Sequence, residues 1–252
     1  MELSQRLQAV VNLVTPGNVV ADVGCDHAYV SIYLIEKKIC KKVVAMDVNK
    51  GPLDIAKGHI EEYAYSEYIE TRLSDGVSAL QVGEVDTLIC AGMGGRLTVD
   101  ILEKGKDKIC FMKELILQPQ SEVWLVRKHL KNQGFLIVEE NMVHEDGKYY
   151  FLMRGVIKKL QHEENQRNQR NDLKKLLGIE SDHLEVLCNK YGLELLFTKN
   201  AVLHGYLMRE EKKIKEILQG LHKESGSKKK RLRMEELKRE WEDIHLILKF
   251  FS

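Results

Sequence analysis

Short runs of small or β-branched apolar residues alternate with amphipathic segments along residues 1–157. Such runs are typical of strands buried on both faces of a parallel sheet, and the segments between them show the spacing of helices. The predicted strands span residues 19–23, 42–47, 68–73, 85–91, 114–118, 135–142 and 148–157. The predicted helices span residues 3–14, 27–37, 52–65, 96–103 and 122–132. Because the last two strands should pair as an antiparallel hairpin, the pattern predicts a doubly wound α/β sheet of about seven strands with one reversed strand near an edge.

The pattern changes near residue 158. Apolar residues then recur at helical spacing in two stretches, about 203–221 and 232–251. They predict two long helices in an antiparallel helical hairpin, joined by a basic turn at Lys228–Arg231. We therefore expect two domains, residues 1–157 and 158–252. The C-terminal hairpin could lie on the sheet, pair with another chain or hold RNA.

Two predicted strands run into loops suited to ligand binding. The first strand is followed by Gly24-Cys-Asp26-His27-Ala28, where Gly24 allows a sharp turn. Asp26 is expected to cap a helix that starts near His27. The fourth strand is followed by Ala91-Gly-Met-Gly-Gly95, a predicted glycine-rich turn. Ligands of open α/β sheets bind at the carboxyl ends of neighbouring strands, so two such loops favour a shared ligand site over two ordinary turns.

Acidic residues stand at the ends of the second and third strands. Asp47 is placed where nucleoside-binding folds hold ribose hydroxyls, but it could equally cap the helix that begins near Asn49. Asp75 could bind an exocyclic amine such as that of adenine, or belong to an ordinary Asp-Gly turn. Ser121 is an expected cap of the helix that follows the fifth strand.

Composition and charge exclude several classes of protein. The chain has 252 residues, 44% of them hydrophobic, and a formal net charge of +1. Residues 1–157 carry 18 Lys+Arg and 22 Asp+Glu, whereas residues 158–252 carry 21 and 16. A basic tail is compatible with an RNA partner, and a solvated helical face explains the charge equally well. The five cysteines form no CxxC pair, which favours reduced thiols in a cytosolic, cytoplasmic protein and no metal site. No signal peptide or membrane span is expected.

The first loop is not that of a dehydrogenase. It lacks the G-x-G-x-x-G spacing that brings a backbone onto a pyrophosphate, and the chain has no Walker A loop, zinc motif or nucleophile elbow. A ligand with ribose and base but no pyrophosphate fits better, and S-adenosylmethionine is one such ligand. The loop histidine more often orients backbone or ligand than acts as a base.

Several motifs together resemble one bacterial enzyme family. These are Leu3-Ser-x-Arg6-Leu, Ala21-Asp-x-Gly-x-Asp-His-Ala-Tyr29, Asp47-x-x-x-Gly51-Pro-Leu, Arg72-Leu-x-Asp-Gly76, Ala91-Gly-Met-Gly-Gly95 and Leu115-Ile-Leu-Gln-Pro119. In this respect the chain is similar to bacterial tRNA (adenine(22)-N1)-methyltransferases of the TrmK type. The resemblance covers the sheet domain and, more loosely, the helical tail. It implies a Rossmann-like class I methyltransferase fold, S-adenosyl-L-methionine as cofactor, and N1 of an adenine in the D-arm of tRNA as acceptor.

The resemblance also implies roles for particular residues. The implied cofactor contacts are Asp22, Gly24, Cys25, Asp26, His27, Asp47, Val48, Asp75, Gly76, Ala91, Gly92 and Met93. As a mechanistic hypothesis, the candidate catalytic residues are Tyr29, His27 and Gly92, and Tyr29 could stack on the extruded base. The candidate RNA contacts are Arg6, Arg72, Arg96 and the basic C-terminal helices, and each arginine could equally form a structural ion pair.

Two other classes of function stay open on the sequence. One is a small-molecule methyltransferase in which the tail serves as a lid or dimer element. The other is a non-catalytic RNA-binding protein that retains the fold. Amino-group methyltransferases often carry an Asn/Asp-Pro-Pro-aromatic motif after the fourth strand. Its replacement here by Ala91–Gly95 favours a ring nitrogen as acceptor, through the resemblance alone.

Overall fold

Seven strands form one sheet in a computed structural model of the chain, which describes residues 1–157, 160–222 and 228–252. The strands are β1 (Val19–Val23), β2 (Lys42–Asp47), β3 (Ile69–Leu73), β4 (Thr87–Gly94), β5 (Glu114–Ser121), β6 (Phe135–Glu145) and β7 (Lys148–Ile157). The helices of the sheet region are α1 (Gln5–Asn12), α2 (Tyr29–Glu36), α3 (Lys50–Glu62), α4 (Gly95–Lys104), α5 (Lys106–Ile109) and α6 (Val123–Asn132). All seven strands were predicted, because each is a short apolar or alternating run between polar breaks.

The sheet has the strand order β3-β2-β1-β4-β5-β7-β6. Strands β1 to β5 are parallel to one another, and β7 is antiparallel to both β5 and β6. The predicted doubly wound sheet with one reversed strand is therefore confirmed. The chain order reverses between β1 and β4, and crevices at such a point are where open α/β sheets bind ligands.

Two apolar layers cover the sheet, one on each face. Alternate residues of β2 serve both layers: Val43 and Ala45 pack against α1, α2 and α3, whereas Val44 and Met46 face the opposite layer. This alternation follows from the two-residue period of a strand, and burial of each large aliphatic side chain contributes about 1.5–3 kcal/mol. The layers fix the strands and so hold their carboxyl ends in place.

A buried carboxylate ties together the opposite, amino-terminal edge of the sheet. Glu114 Oε1 accepts hydrogen bonds from the Thr15 N–H at 2.8 Å and the Thr87 hydroxyl at 2.8 Å. Its Oε2 accepts from the Thr15 hydroxyl at 2.6 Å, and Asn18 Nδ2 donates to Oε1 at 3.3 Å. Because four hydrogen bonds from N–H and O–H donors reach this carboxylate, its buried charge is compensated. The same bonds hold the starts of β1, β4 and β5 in register.

The chain divides into two units, Met1–Glu163 and Glu164–Ser252. The remaining helices are α7 (Leu160–Leu177), α8 (Ser181–Tyr191), α9 (Leu193–Phe197), α10 (Ala201–His222) and α11 (Lys228–Phe251). Helices α7 to α9 were not predicted; α7 is rich in polar residues, and α9 has only five residues. Lys228–Arg231 is the first turn of α11, so its prediction as an interhelical turn was wrong. The predicted break at 224–227 lies outside the described residues.

Helices α10 and α11 run antiparallel, as predicted. Contacts between them pair rising numbers on α10 with falling numbers on α11. Glu211 Oε1 lies 3.1 Å from His245 Nδ1, and Lys215 Nζ lies 5.6 Å from the centre of the Trp241 ring. Buried leucine and isoleucine side chains fill the space between the helices of this unit. The C-terminal unit thus has its own apolar core.

Candidate functional site

The loop after β1 has an unusual backbone. Gly24, Asp26 and Ala28 all have positive φ, at 72°, 49° and 59°. Such values are costly for the two residues that carry a Cβ, and they cluster at functional sites when the surrounding structure enforces them. The N–H groups of Gly24 and Cys25 both donate to the carbonyl oxygen of Met46, at 2.8 and 3.0 Å. These bonds fix the loop against the end of β2.

Helix α2 begins later than predicted and without the predicted cap. Its N-cap is Ala28, with no capping side chain, and its first residue is Tyr29. Asp26 does not cap the helix, because positive φ turns its 72% exposed side chain away; its Oδ1 lies 3.6 Å from His27 Nε2. The N-terminus of α2 therefore presents N–H groups without a capping side chain at the edge of this loop. Such an end favours negatively charged ligand groups.

Asp22 is buried beneath the same loop, near the end of β1. The Ser31 hydroxyl of α2 donates to its Oδ2 at 2.7 Å. Burial raises the pKa of Asp22 to about 6, the Ser31 hydrogen bond opposes this shift, and the negative charge of Asp47 adds to it. Asp22 is thus a carboxylate for which a neighbouring cation would be favourable.

Asp47 ends β2 with only one of its oxygens engaged. Its Oδ1 accepts the N–H of Asn49 at 2.8 Å, and its Oδ2 makes no hydrogen bond with any residue that the structure describes. Helix α3 has Asn49 as its N-cap, with no capping side chain. The capping alternative for Asp47 is therefore not what the structure shows, and one oxygen remains able to accept from a ligand. The neighbouring Val48 is exposed.

The glycine-rich segment is an irregular strand end and not the predicted turn. Strand β4 continues to Gly94, with register shifts against β5 on both sides of Met93, and α4 starts at Gly95. A Cβ on Gly24 would overlap the terminal methyl group of Met93. The loop after β1 is therefore in contact with the end of β4, and the two segments singled out from the sequence do lie side by side.

Gln118 is a site residue that sequence reasoning missed. Strand β5 places it beside Ala91, with 1% of its surface exposed. Its Oε1 accepts from Arg6 Nη1 at 2.8 Å and from the Gly92 N–H at 3.1 Å. Arg6 is itself held over the Tyr150 ring, with its Cζ 5.5 Å from the ring centre. The sequence signals that pointed to it are its position at the exit of the fifth strand and its place in the Leu115–Pro119 motif.

Three aromatic rings lie together outside the first loop. The Tyr29 ring stacks on His59 with centres 5.3 Å apart and planes 21° from parallel, and His27 lies 5.6 Å from Tyr29. His59 Nδ1 also lies 3.1 Å from the backbone oxygen of His27. Tyr29 is exposed, so the cluster offers a flat face to solvent. His59 is an addition to the residues singled out from the sequence.

Three other residues predicted at the site, Asp75, Arg72 and Arg96, form ion pairs with neighbouring side chains. Asp75 is exposed and pairs with Lys104, whose Nζ lies 3.3 Å away. The Arg72 guanidinium binds both Glu84 and Glu70, which is the structural ion pair that the sequence left open. Arg96 pairs with Glu122 at 2.8 Å while its side chain stays 79% exposed.

Three remaining residues bear on the chemistry or correct the sequence predictions. Ser121 lies in β5 and does not cap α6, whose N-cap is Glu122 without a capping side chain. Gly76, at positive φ, packs against Ile101. The Cys25 thiol is buried, and burial raises its pKa well above the ordinary range, so it is unsuited to act as a nucleophile.

The geometry defines a class of protein. The loop after β1 meets the irregular end of β4 at the switch point of a doubly wound sheet, with a half-engaged carboxylate at the end of the neighbouring strand β2. This arrangement is that of a Rossmann-like, nucleoside-binding α/β domain.

Comparison with known proteins then specifies the family. A family model described as a methyltransferase domain matches residues 3–153, and the chain belongs to that family. It is 37% identical over 153 residues to the tRNA (adenine(22)-N(1))-methyltransferase of Bacillus subtilis, a match that covers 61% of this chain and 64% of that relative. The resemblance noted in the sequence is thereby confirmed.

Solved structures agree with this relationship over nearly the whole chain. The crystal structure of the B. subtilis M1A22 tRNA methyltransferase TrmK superimposes with a TM-score of 0.81 at 28% identity, covering 98% of this chain and 99% of that chain. A Streptococcus pneumoniae protein in complex with S-adenosyl-L-methionine gives a TM-score of 0.79 at 27% identity, covering 98% and 100%. Among the described residues, no helix combines the length and apolar character needed to cross a membrane.

Proposed function

We propose that this chain is an S-adenosyl-L-methionine-dependent methyltransferase that acts on N1 of adenine 22 in tRNA. The observation that carries the proposal is the junction of the loop after β1 with the end of β4, where Met93 lies against Gly24 next to the end of β2. The chain spans 64% of the curated relative named above, so its activity and substrate are inferences from the site and from that relationship.

The residues present at the junction fit this cofactor. Oδ2 of Asp47 is able to accept from a ribose hydroxyl. Asp22 is a buried carboxylate that a cation would stabilise, and the N-terminus of α2 favours a carboxylate. A methionine moiety carries both an ammonium and a carboxylate group. Asp75 is exposed and pairs with Lys104 through Oδ2, so its other oxygen is proposed to accept from the adenine amine.

The proposed chemistry needs alignment more than proton transfer. When bound, the cofactor supplies a methyl group on a sulfonium centre that is open to in-line displacement. The N1 lone pair of adenine is already free at neutral pH, so no side chain has to remove a proton first. Orientation of two reactants can lower a barrier by about 7–11 kcal/mol. The backbone of Ala91–Gly95 is proposed to receive the acceptor base, with its carbonyl groups accepting from the adenine amino group.

The ring cluster is the proposed stacking surface for the base. An adenine inside a folded tRNA must be extruded before it can react, which costs a few kcal/mol. The exposed Tyr29 ring, backed by His59, offers a flat face that can repay part of this cost, since base–aromatic stacking contributes about 1–3 kcal/mol. We assign His27 to the support of this cluster, on the basis of its 5.6 Å separation from Tyr29.

Basic residues of both units are the proposed contacts with the tRNA backbone. The first three turns of α11 carry exposed Lys228, Lys229, Arg231 and Arg233, and the helix dipole adds positive potential at this end. Exposure also favours Arg96 as a phosphate contact, whereas Arg72 is occupied by two carboxylates. A tRNA substrate implies that the protein works in the cytoplasm.

The test is incubation of the full-length protein with labelled S-adenosylmethionine and unmodified tRNA, followed by nucleoside analysis and mapping of the modified position. We expect N1-methyladenosine at position 22 and none in a matched tRNA with guanine there. Methylation of another nucleoside would redirect the proposal. Cofactor binding without methylation of any tRNA would favour a small-molecule methyltransferase, and absence of cofactor binding would favour a non-catalytic RNA-binding protein.

A further inference from the structure

The carboxamide of Gln118 is held in a single orientation. Its Oε1 accepts from Arg6 Nη1 at 2.8 Å and from the Gly92 N–H at 3.1 Å. Both partners are obligate donors, so turning the amide over would place its NH₂ group against two other N–H groups. The orientation of the NH₂ group therefore follows from the chemistry of its neighbours.

This NH₂ group is buried without a partner. Gln118 Nε2 makes no hydrogen bond with any residue in the described part of the chain. A buried donor without an acceptor costs free energy, and such exceptions in a folded protein call for an explanation. The simplest explanation is that a ligand supplies the missing acceptor.

The surroundings of Gly92 indicate what kind of ligand fits. Arg6 Nη1 and Gln120 Nε2 each lie 3.8 Å from the position that a Cβ on Gly92 would occupy. With Gln118, three side chains therefore bring N–H donors to one glycine. A ligand bound there should present lone pairs to these donors. A purine ring has such lone pairs on N1, N3 and N7.

We propose that Gln118 Nε2 donates a hydrogen bond to an unreacting ring nitrogen, N3 or N7, of the acceptor adenine. The inference rests on the proposed function. It excludes N1 as the partner, because a hydrogen bond there would occupy the lone pair that attacks the methyl group. Gln118 is thus assigned as a substrate-contacting residue that orients the base, while Arg6 is a positioning residue that orients Gln118.

The experiment uses tRNAs that carry adenosine, 3-deazaadenosine or 7-deazaadenosine at the target position. Single-turnover methylation is measured at saturating cofactor for the wild-type protein, Gln118→Ala and the control Gln133→Ala, which lies at the opposite edge of the sheet. We expect the wild type and the control to lose about tenfold in rate on one deaza substrate, the value of one ordinary hydrogen bond. Gln118→Ala should lose about as much on adenosine and lose nothing further on that deaza substrate.

Three outcomes would overturn the inference. The first is a wild-type protein that methylates both deaza substrates as fast as adenosine, a result that needs no variant. The second is Gln118→Ala retaining the full deaza penalty. The third is Gln118→Ala weakening cofactor affinity while sparing the rate on bound tRNA, since the amide would then contact the cofactor. Failure of the proposed function is distinct, because the wild type would then form no N1-methyladenosine even on adenosine.

Discussion

Replacement of Asp22 by asparagine should change how the stability of the protein depends on pH. Asp22 is buried and accepts a hydrogen bond from Ser31, and both features are open to an asparagine side chain. The carboxyl pKa rises from 3.8 to about 6 in the folded protein, chiefly because burial disfavours the charged form. The unfolded chain therefore releases this proton at lower pH than the folded protein does.

The sign and size of the effect follow from this difference. Between about pH 4 and pH 6 the folded protein retains a proton that the unfolded chain has lost, so stability falls as pH rises through this window and levels off above it. A shift of about two units corresponds to about 3 kcal/mol. The free energy of unfolding of Asp22→Asn should therefore rise relative to wild type by about 3 kcal/mol across the window.

The assay is urea unfolding at several pH values, followed by tryptophan fluorescence. The chain has two tryptophans, so a Trp241→Phe background leaves Trp124 to report on the sheet unit alone. Asp86→Asn is the matched control of opposite sign. Hydrogen bonds from the Val19 N–H and, second, from Lys113 hold the pKa of Asp86 below its usual range. The ionised carboxylate therefore stabilises the folded protein more as pH rises, and Asp86→Asn should lose that stabilisation. Parallel pH curves for wild type and Asp22→Asn would refute the reasoning.

Three further predictions concern cofactor, substrate and core. Asp47→Ala should raise the Kd for S-adenosylmethionine by about 10- to 100-fold by calorimetry, the loss of charge-assisted hydrogen bonds; unchanged affinity would remove the ribose assignment. Tyr29→Ala should slow tRNA methylation by at least about fivefold with cofactor affinity kept, whereas Tyr29→Phe should retain most of the rate; equal losses in both would argue against stacking. Arg127→Ala should lower the free energy of unfolding by about 3–5 kcal/mol, because the Glu140 partner of this 2.7 Å ion pair is buried; a loss below 1 kcal/mol would contradict this.

The architecture could be predicted because its signals are local. Buried parallel strands are runs such as Val19–Val23 and Lys42–Asp47, and the glycines that follow β1 and β4 mark the loops that meet at the site. The antiparallel pairing of α10 and α11 was likewise readable from two apolar stripes. These features depend on neighbours within a few residues, or on the period of one element.

Where elements end could not be predicted in the same way. Strands β4 and β5 pair as far as Gly94 and Ser121, past residues that locally favour a turn, because each supplies the other with backbone partners. Helix α2 starts at Tyr29 because the loop pinned to Met46 holds Asp26 and Ala28 at positive φ. Polar helices such as α7 also escaped prediction, since they have few apolar residues to show the spacing.

The sequence alone determined the sheet, its two ligand loops and the acidic residues at the strand ends. Only the tertiary structure decided what each polar side chain there is free to do. Asp47 keeps one oxygen without a hydrogen bond among the described residues, and Arg72 is occupied by Glu84 from another segment as well as by Glu70 of its own strand. Gln118 becomes a buried donor only because Arg6, 112 positions away in the chain, takes up its oxygen. Hydrogen bonds across such separations depend on which strands lie side by side, and no local pattern encodes them.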